Sequence, residues 1–135
     1  KRNTVGEIGF AMAILLSSYL ALTPWQFSMA ILIMAVADGL AALVGMRYLR
    51  RKGQRYTIFG CNKTWAGSFT FFLVTALIIF AMHTYFVTGP NTDLLLAAII
   101  PMALILTVIE ACSAYGIDNI SVPLAAILLA RIIVL

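Results

Sequence analysis

Residues 34–45 read MAVADGLAALVG. Eleven of these twelve residues sit readily in lipid. The twelfth, Asp38, is a carboxylate in the middle of an apolar run that extends from Gln26 to Tyr48. Placing an acid at the centre of a membrane helix costs a few kcal/mol even on lenient insertion scales, so such groups are functional by default. Asp38 lies nine residues before Arg47, about 13 Å along a helix at 1.5 Å per residue. Ala35, Asp38, Gly39, Ala42 and Gly45 recur at near-helical spacing and predict a stripe of small residues on the acid's own face. Small stripes let helix backbones approach closely. Asp38 is therefore expected to face the bundle or a wet cavity, with Ile33, Val36, Leu40 and Leu43 turned to acyl chains.

The rest of the chain supports this reading. Its 135 residues are 63% hydrophobic and 10% charged, with a mean hydropathy of +1.04. Soluble domains carry about 25% charged residues. The expected fold is all-α: a polytopic transmembrane bundle of about five helices, forming a single membrane domain over residues 1–135. The hydrophobic runs are Val5–Leu22, Gln26–Tyr48, Trp65–Val87, Leu94–Ala114 and Val122–Leu135, each near the roughly 20 residues needed to cross a bilayer except the shorter last one. The start KRNTVGEIGF has neither an initiator Met nor a signal cleavage site, and suggests a piece of something longer. No nucleic-acid partner is expected; membrane lipids are.

The breakers are TPW at Thr23–Trp25, TGPNTD at Thr88–Asp93, a basic loop RYLRRKGQRYTIFGCNK and a polar turn YGIDNIS. Lys1, Arg2, Arg47, Arg50, Arg51, Lys52, Arg55 and Lys63 fall on one side when the N-terminus is cytoplasmic, and the opposite turns hold no Lys or Arg. Arg131 is the exception and is expected to snorkel toward the far interface. Trp25 and Trp65 start helices, as interfacial anchors do. Cys61 and Cys112 fall on the cytoplasmic side, where free thiols are the rule.

Two more acids join Asp38 at the cytoplasmic mouth. Glu110 shares a small or polar face with Ala103, Thr107, Ala111 and Ala114, on a helix that Pro101 is expected to kink. Asp118 lies in the turn that follows. Glu7 reads as interfacial, and His83 as a polar group reaching the far interface. Two helix starts point to the same mouth. Asn62 can cap the helix beginning near Trp65, and Asn119 or Ser121 the last helix, with Pro123 in its first turn. Helix N-termini favour phosphate. Mg²⁺ is usually held by one or two carboxylates together with substrate phosphates. Acids, basic side chains and helix starts on one side thus suit a nucleoside triphosphate with Mg²⁺.

The ordered segments ADG with VGMR, CNKTWAGS and EACSAYGIDNISVP resemble those of the CTP-dependent polyprenol kinases, with phytol kinases nearest, dolichol kinases next and phosphatidate cytidylyltransferases more distant. The resemblance covers nearly the whole chain from Gly6 onward and corresponds to the C-terminal part of such kinases. It implies transfer of the CTP γ-phosphoryl group to the hydroxyl of an isoprenoid alcohol in the bilayer. By this resemblance Asp38, Glu110 and Asp118 are catalytic; Asp38 and Asp118 are the expected Mg²⁺ ligands, with Glu110 open as the alternative to Asp118. Arg47, Asn62, Lys63, Gly67, Ser68 and Asn119 match the family's nucleotide- and phosphate-binding positions. Where family members often carry a second Asp near the first motif, this chain has Ala41 and Ala42. Upstream helices or a homo-oligomer stay open as completing partners. The nearest alternative is a phosphatidate cytidylyltransferase, whose Gly-His-Gly-Gly and D-R-x-D-S run is missing here. A small transporter or scaffold half, relaying protons or a cation through Asp38 and Glu110, is the alternative from another class.

Overall fold

The computed structural model describes residues 4–50, 54–58, 61–86, 92–113 and 117–134; within these, the side chains of residues 4–7, 61, 92–96, 133 and 134 are not described. Lys1, Arg2, Arg51, Lys52, Ala114 and the 88–91 turn, together with the side chains of Glu7, Cys61 and Asp93, lie outside the described residues.

The architecture is helical with one small hairpin. Its elements are α1 (Thr4–Leu20), α2 (Pro24–Leu32), a π-helical turn (Ile33–Ala37), α3 (Asp38–Arg50), β1 (Arg55–Ile58), β2 (Cys61–Thr64), α4 (Trp65–Phe86), α5 (Thr92–Cys112) and α6 (Asp118–Val134). α2, the π turn and α3 form one continuous rod. This rod, Pro24–Arg50, and α4 are the two helices among the described residues that are long and apolar enough to cross a membrane. α4 packs against α3 and α5, and α6 packs against α1, α2 and α5. The core between them is built from Met29, Ile33, Phe71, Leu106 and Ile127, all essentially fully buried.

Local chemistry explains the first turn. Thr23 is extended, Pro24 occupies the first helical position, and the buried Gln26 side chain accepts the Leu22 N–H at 3.0 Å. A proline costs nothing where the helical N–H would be unpaired anyway. Trp25 is half-buried against the core.

The rod departs from the expected stripe. Ala35, Gly39 and Ala42 are exposed, whereas Ile33 is fully buried, so the inner face runs Ile33, Ala37, Ala41 and Gly45. A π turn inserts one residue relative to α-helical phase. It therefore rotates the buried line and leaves Asp38 half-buried at its edge. Val36, Leu40 and Leu43 are exposed, as the pattern implies.

Two glycines set the α3–α4 distance. A Cβ on Gly45 would lie 2.8 Å from the Thr64 hydroxyl oxygen. One on Gly67 would lie 2.8 Å from the same oxygen and 3.1 Å from the Ala41 carbonyl oxygen. Only hydrogen at both positions allows this approach.

The basic loop contains a β-hairpin, which was not expected. Arg55 pairs with Thr64 and Ile58 with Cys61 in antiparallel register. Tyr56 and Ile58 turn inward while Arg55 and Thr57 are exposed, the alternation of a half-buried strand. The hairpin relocates the expected cap. Asn62 sits in β2 and accepts the Thr57 hydroxyl at 2.8 Å, and it is the Thr64 hydroxyl that accepts the Gly67 N–H, at 3.0 Å, at the start of α4. Thr64→Val keeps the shape and loses this acceptor. Loss of an N-cap typically costs about 1 kcal/mol. Thermal unfolding in detergent should show that loss; an unchanged midpoint would mean the cap contributes nothing.

α6 begins four residues earlier than the hydrophobic run implies. The Ile117 carbonyl accepts the Ile120 and Ser121 N–H groups, and Asp118 Oδ1 accepts the Asn119 N–H at 3.1 Å. Asn119 and Ser121 are thus inside the helix and not its caps, and Pro123 is in its second turn. Ser121 instead shares a hydroxyl–hydroxyl bond of 2.9 Å with Ser113, closing the α5–α6 junction. Pro101 lies within a continuous α5.

Arg131 is half-buried, and its guanidinium donates to the Leu20 carbonyl, tying α6 to the end of α1. His83 is 3% exposed, with neither ring nitrogen hydrogen-bonded among the described residues, on the buried α4 line Gly67, Phe71, Thr75, Ile79 and His83. The i, i+4 spacing carries this histidine into the bundle with the core residues, contrary to the interfacial reading.

Candidate functional site

Three chain segments that are far apart in sequence meet in one cavity of about 320 Å³. Asp38, Ala41, Ala42, Gly45, Met46 and Leu49 of α3 form one wall. Asn62, Lys63, Thr64, Gly67 and Ser68 of β2 and α4 form a second, and Glu110 and Asp118 complete it. Asp38 comes from the middle of the rod, and the other polar groups come from element ends: the last turn of α5, the first residue of α6 and the β2–α4 junction. The apolar wall comes from α3, with Ala41 and Gly45 buried and Ala42 and Met46 exposed. A cavity at the small end of ligand sites, about 300–1,000 Å³, accommodates a polar head better than a long chain.

Asp38, Glu110 and Asp118 each offer a carboxylate oxygen, and these oxygens all lie within 4.8 Å of one another. Lys63 Nζ donates to Glu110 Oε1 and lies 3.4 Å from Asp118 Oδ2. Glu110 is 4% exposed, and its Oε2 is buried with no hydrogen-bond partner among the described residues. Asp38 makes no hydrogen bond or ion pair among the described residues. Burial on its own pulls the Lys63 ammonium down, but its hydrogen bond to Glu110 and the charges of Glu110 and Asp118 outweigh burial and hold it above its ordinary value. The lysine is therefore cationic throughout the neutral range.

The hairpin braces the second wall. The Tyr56 ring packs on Trp65 with centroids 4.8 Å apart, and its hydroxyl hydrogen-bonds that of Ser68. Trp65 is otherwise largely exposed. Three close carboxylates are a hard-oxygen donor set of the kind that suits Mg²⁺, and the unpartnered Glu110 oxygen marks an unmet demand for a cation or donor.

Of the candidate residues, Asp38, Asn62, Lys63, Gly67, Ser68, Glu110 and Asp118 line this cavity. Arg47 is exposed on α3 outside the lining, and Asn119 is half-buried beside Asp118, also outside it. Thr64, Tyr56 and the wall residues Met46 and Leu49 belong to the site or its support without having been singled out from sequence. The alternation Arg55-Tyr56-Thr57-Ile58 was the available signal for the hairpin. Cys112 is a half-buried free thiol near Glu110 in sequence and does not line the cavity.

No family model matches the chain, and no solved structure matches it. Curated relatives do. It is 36% identical over 132 residues to a phytol kinase of Synechocystis sp., covering 96% of this chain and 54% of that protein. It is 36% identical over 106 residues to a probable chloroplastic phytol kinase 1 of Oryza sativa, covering 74% and 32%. A probable chloroplastic phytol kinase 2 of Glycine max matches at 36% over 103 residues, covering 72% and 34%. The chain thus spans about half the length of the cyanobacterial relative and about a third of the plant ones. With the relatives agreeing in kind and the first covering nearly all of this sequence, the chain belongs to the phytol/polyprenol kinase family.

Proposed function

We propose that this chain carries the phosphoryl-transfer site of an integral-membrane, CTP-dependent kinase for a long-chain isoprenoid alcohol of the phytol or polyprenol type, with the site opening to the cytoplasm. The observation that carries this reading is the meeting of three carboxylates and one lysine beside the capped start of α4, within otherwise apolar helices. The relatives' names support the kinase class.

Phosphoryl transfer needs mainly positioning and charge neutralisation. Asp38 and Asp118 would hold Mg²⁺, which neutralises phosphate charge when bound. Lys63 and the positive end of α4 would face phosphate oxygens, with Gly67 leaving room and Ser68 and Asn62 offering polar contacts. The alcohol oxygen forms a bond to the γ-phosphorus as the bond to the β,γ-bridging oxygen breaks and CDP leaves. The alcohol's proton passes to a carboxylate of the cavity. Exposed apolar residues of α3 continue from the cavity wall at Ala42 and Met46, so an isoprenoid tail can stay in lipid while its hydroxyl reaches the acids. Arg47 and Asn119 are left out of these contacts.

The test is a transfer assay in liposomes with γ-labelled CTP, Mg²⁺ and, in parallel, phytol, a longer polyprenol and phosphatidate. Label in an organic-soluble prenyl phosphate is the expected outcome. Product from phosphatidate with α-labelled CTP would instead identify a cytidylyltransferase. Lys63→Ala is expected to weaken CTP binding by about tenfold or more, the scale of a lost charge-assisted contact; unchanged CTP affinity would remove its phosphate role.

A further inference from the structure

Lys63 occupies the place a cation would take. Its ammonium donates to Glu110 and lies 3.4 Å from Asp118, inside a group of carboxylates whose oxygens are within 4.8 Å of each other. A divalent ion held by these acids and the ammonium cannot share that volume without strong like-charge repulsion. Yet the lysine satisfies only part of the demand. Among the described residues Glu110 Oε2 remains buried without a partner, and Asp38 receives no hydrogen bond. The cavity is therefore built for more positive charge than Lys63 brings, but with Lys63 in the way.

The lysine is also placed to move. It is the penultimate residue of β2, paired with Tyr56 in the hairpin and followed by the Thr64 cap, so its backbone is held on both sides. Its side chain is a flexible four-carbon stem with a compact charged tip, part-exposed to the cavity. The ammonium can leave the carboxylates for another anion without moving the fold.

We propose that Lys63 is a resident cation that closes the acid cluster to a free divalent ion, so that the site takes the ion together with a polyphosphate. The polyphosphate oxygens draw the ammonium away from Glu110 and Asp118, and the ion replaces it. The ligand class of the site is then the cation–polyphosphate complex. The inference rests on the reading of Asp38, Glu110 and Asp118 as a metal site.

The experiment is Mn²⁺ titration of the full chain in detergent, following free Mn²⁺ by electron paramagnetic resonance, with and without a non-hydrolysable CTP analogue. With the Mn²⁺ held by the analogue alone subtracted, wild type is expected to bind Mn²⁺ at least about tenfold more tightly when the analogue is present, within the usual range of coupling between two ligands. Lys63→Met is expected to bind Mn²⁺ without nucleotide at least about tenfold more tightly than wild type, a gain of the same order. Lys63→Arg, which keeps the charge, should behave as wild type, and adding Glu110→Gln to Lys63→Met should erase the gain. Lys63→Met binding no tighter than wild type, while wild type binds with the analogue, would overturn the resident-cation role and leave the metal site standing. Equal wild-type affinity with and without the analogue would overturn it even if Lys63→Met failed to fold. No binding by any form would overturn the metal reading itself.

Discussion

Asp38→Asn is expected to reduce Mg²⁺-CTP-dependent transfer by on the order of 10³-fold, the scale of removing one preorganised electrostatic contact to a transition state. The substitution keeps the side chain's shape and one oxygen but removes the charge that would bind the cation. It should leave the fold intact, because Asp38 makes no hydrogen bond or ion pair among the described residues. It also removes one of three like charges whose oxygens lie within 4.8 Å. The thermal midpoint should therefore be unchanged or higher. Full activity would end the metal-ligand role of Asp38. Loss of activity with an equal loss of stability would show a structural acid instead.

The second large effect is on packing. Gly67→Val is expected to destabilise the protein by about 3 kcal/mol, at the upper end for inserting atoms into a close-packed contact. Its Cβ would meet the Thr64 hydroxyl oxygen at 2.8 Å and the Ala41 carbonyl oxygen at 3.1 Å. The first clash disrupts the cap of α4, and the second pushes on the backbone of α3, which cannot turn aside as a side chain can. Separating α3 from α4 would also carry Asp38 away from Lys63, so activity should fall with stability. Gly39→Ala is the control. A Cβ there meets nothing within 4 Å, so the exchange should be neutral or favourable by up to about 1 kcal/mol from helix propensity. A thermal melt of both variants in detergent decides the matter. Equal, small effects would show that the close approach of the two helices does not depend on the Gly45–Gly67 contact.

These two variants also mark how far the sequence could be read. Asp38 and Glu110 stand out one by one, because a carboxylate in an apolar run is rare for a physical reason that needs no neighbours, whereas Asp118, in a polar turn, stands out only through the motif around it. The helical class and the breaks between helices were legible for the same kind of reason. Hydrophobic run length, Pro24 after Thr23 and the polar stretches are local properties of the chain. The ordered motifs pointed to the family that the curated relatives show.

What the chain's order could not reveal depends on contacts between distant segments. The stripe around Asp38 was misplaced because a π turn at Ile33–Ala37 shifts the phase, and such a turn is a response to packing rather than to composition. The cap of α4 fell to Thr64 instead of Asn62 because strand pairing in the hairpin engages Asn62 elsewhere. His83 was expected at an interface and is drawn into the bundle, since a helix buries whatever lies on its inner line. Which residues could carry charge into an apolar helical bundle is written in the order of amino acids alone, because desolvation acts on each residue wherever it sits. That Lys63 stands among Glu110 and Asp118 with Asp38 beside them emerges from the packing, because that arrangement depends on the Gly45–Gly67 approach and on the junctions of α4, α5 and α6.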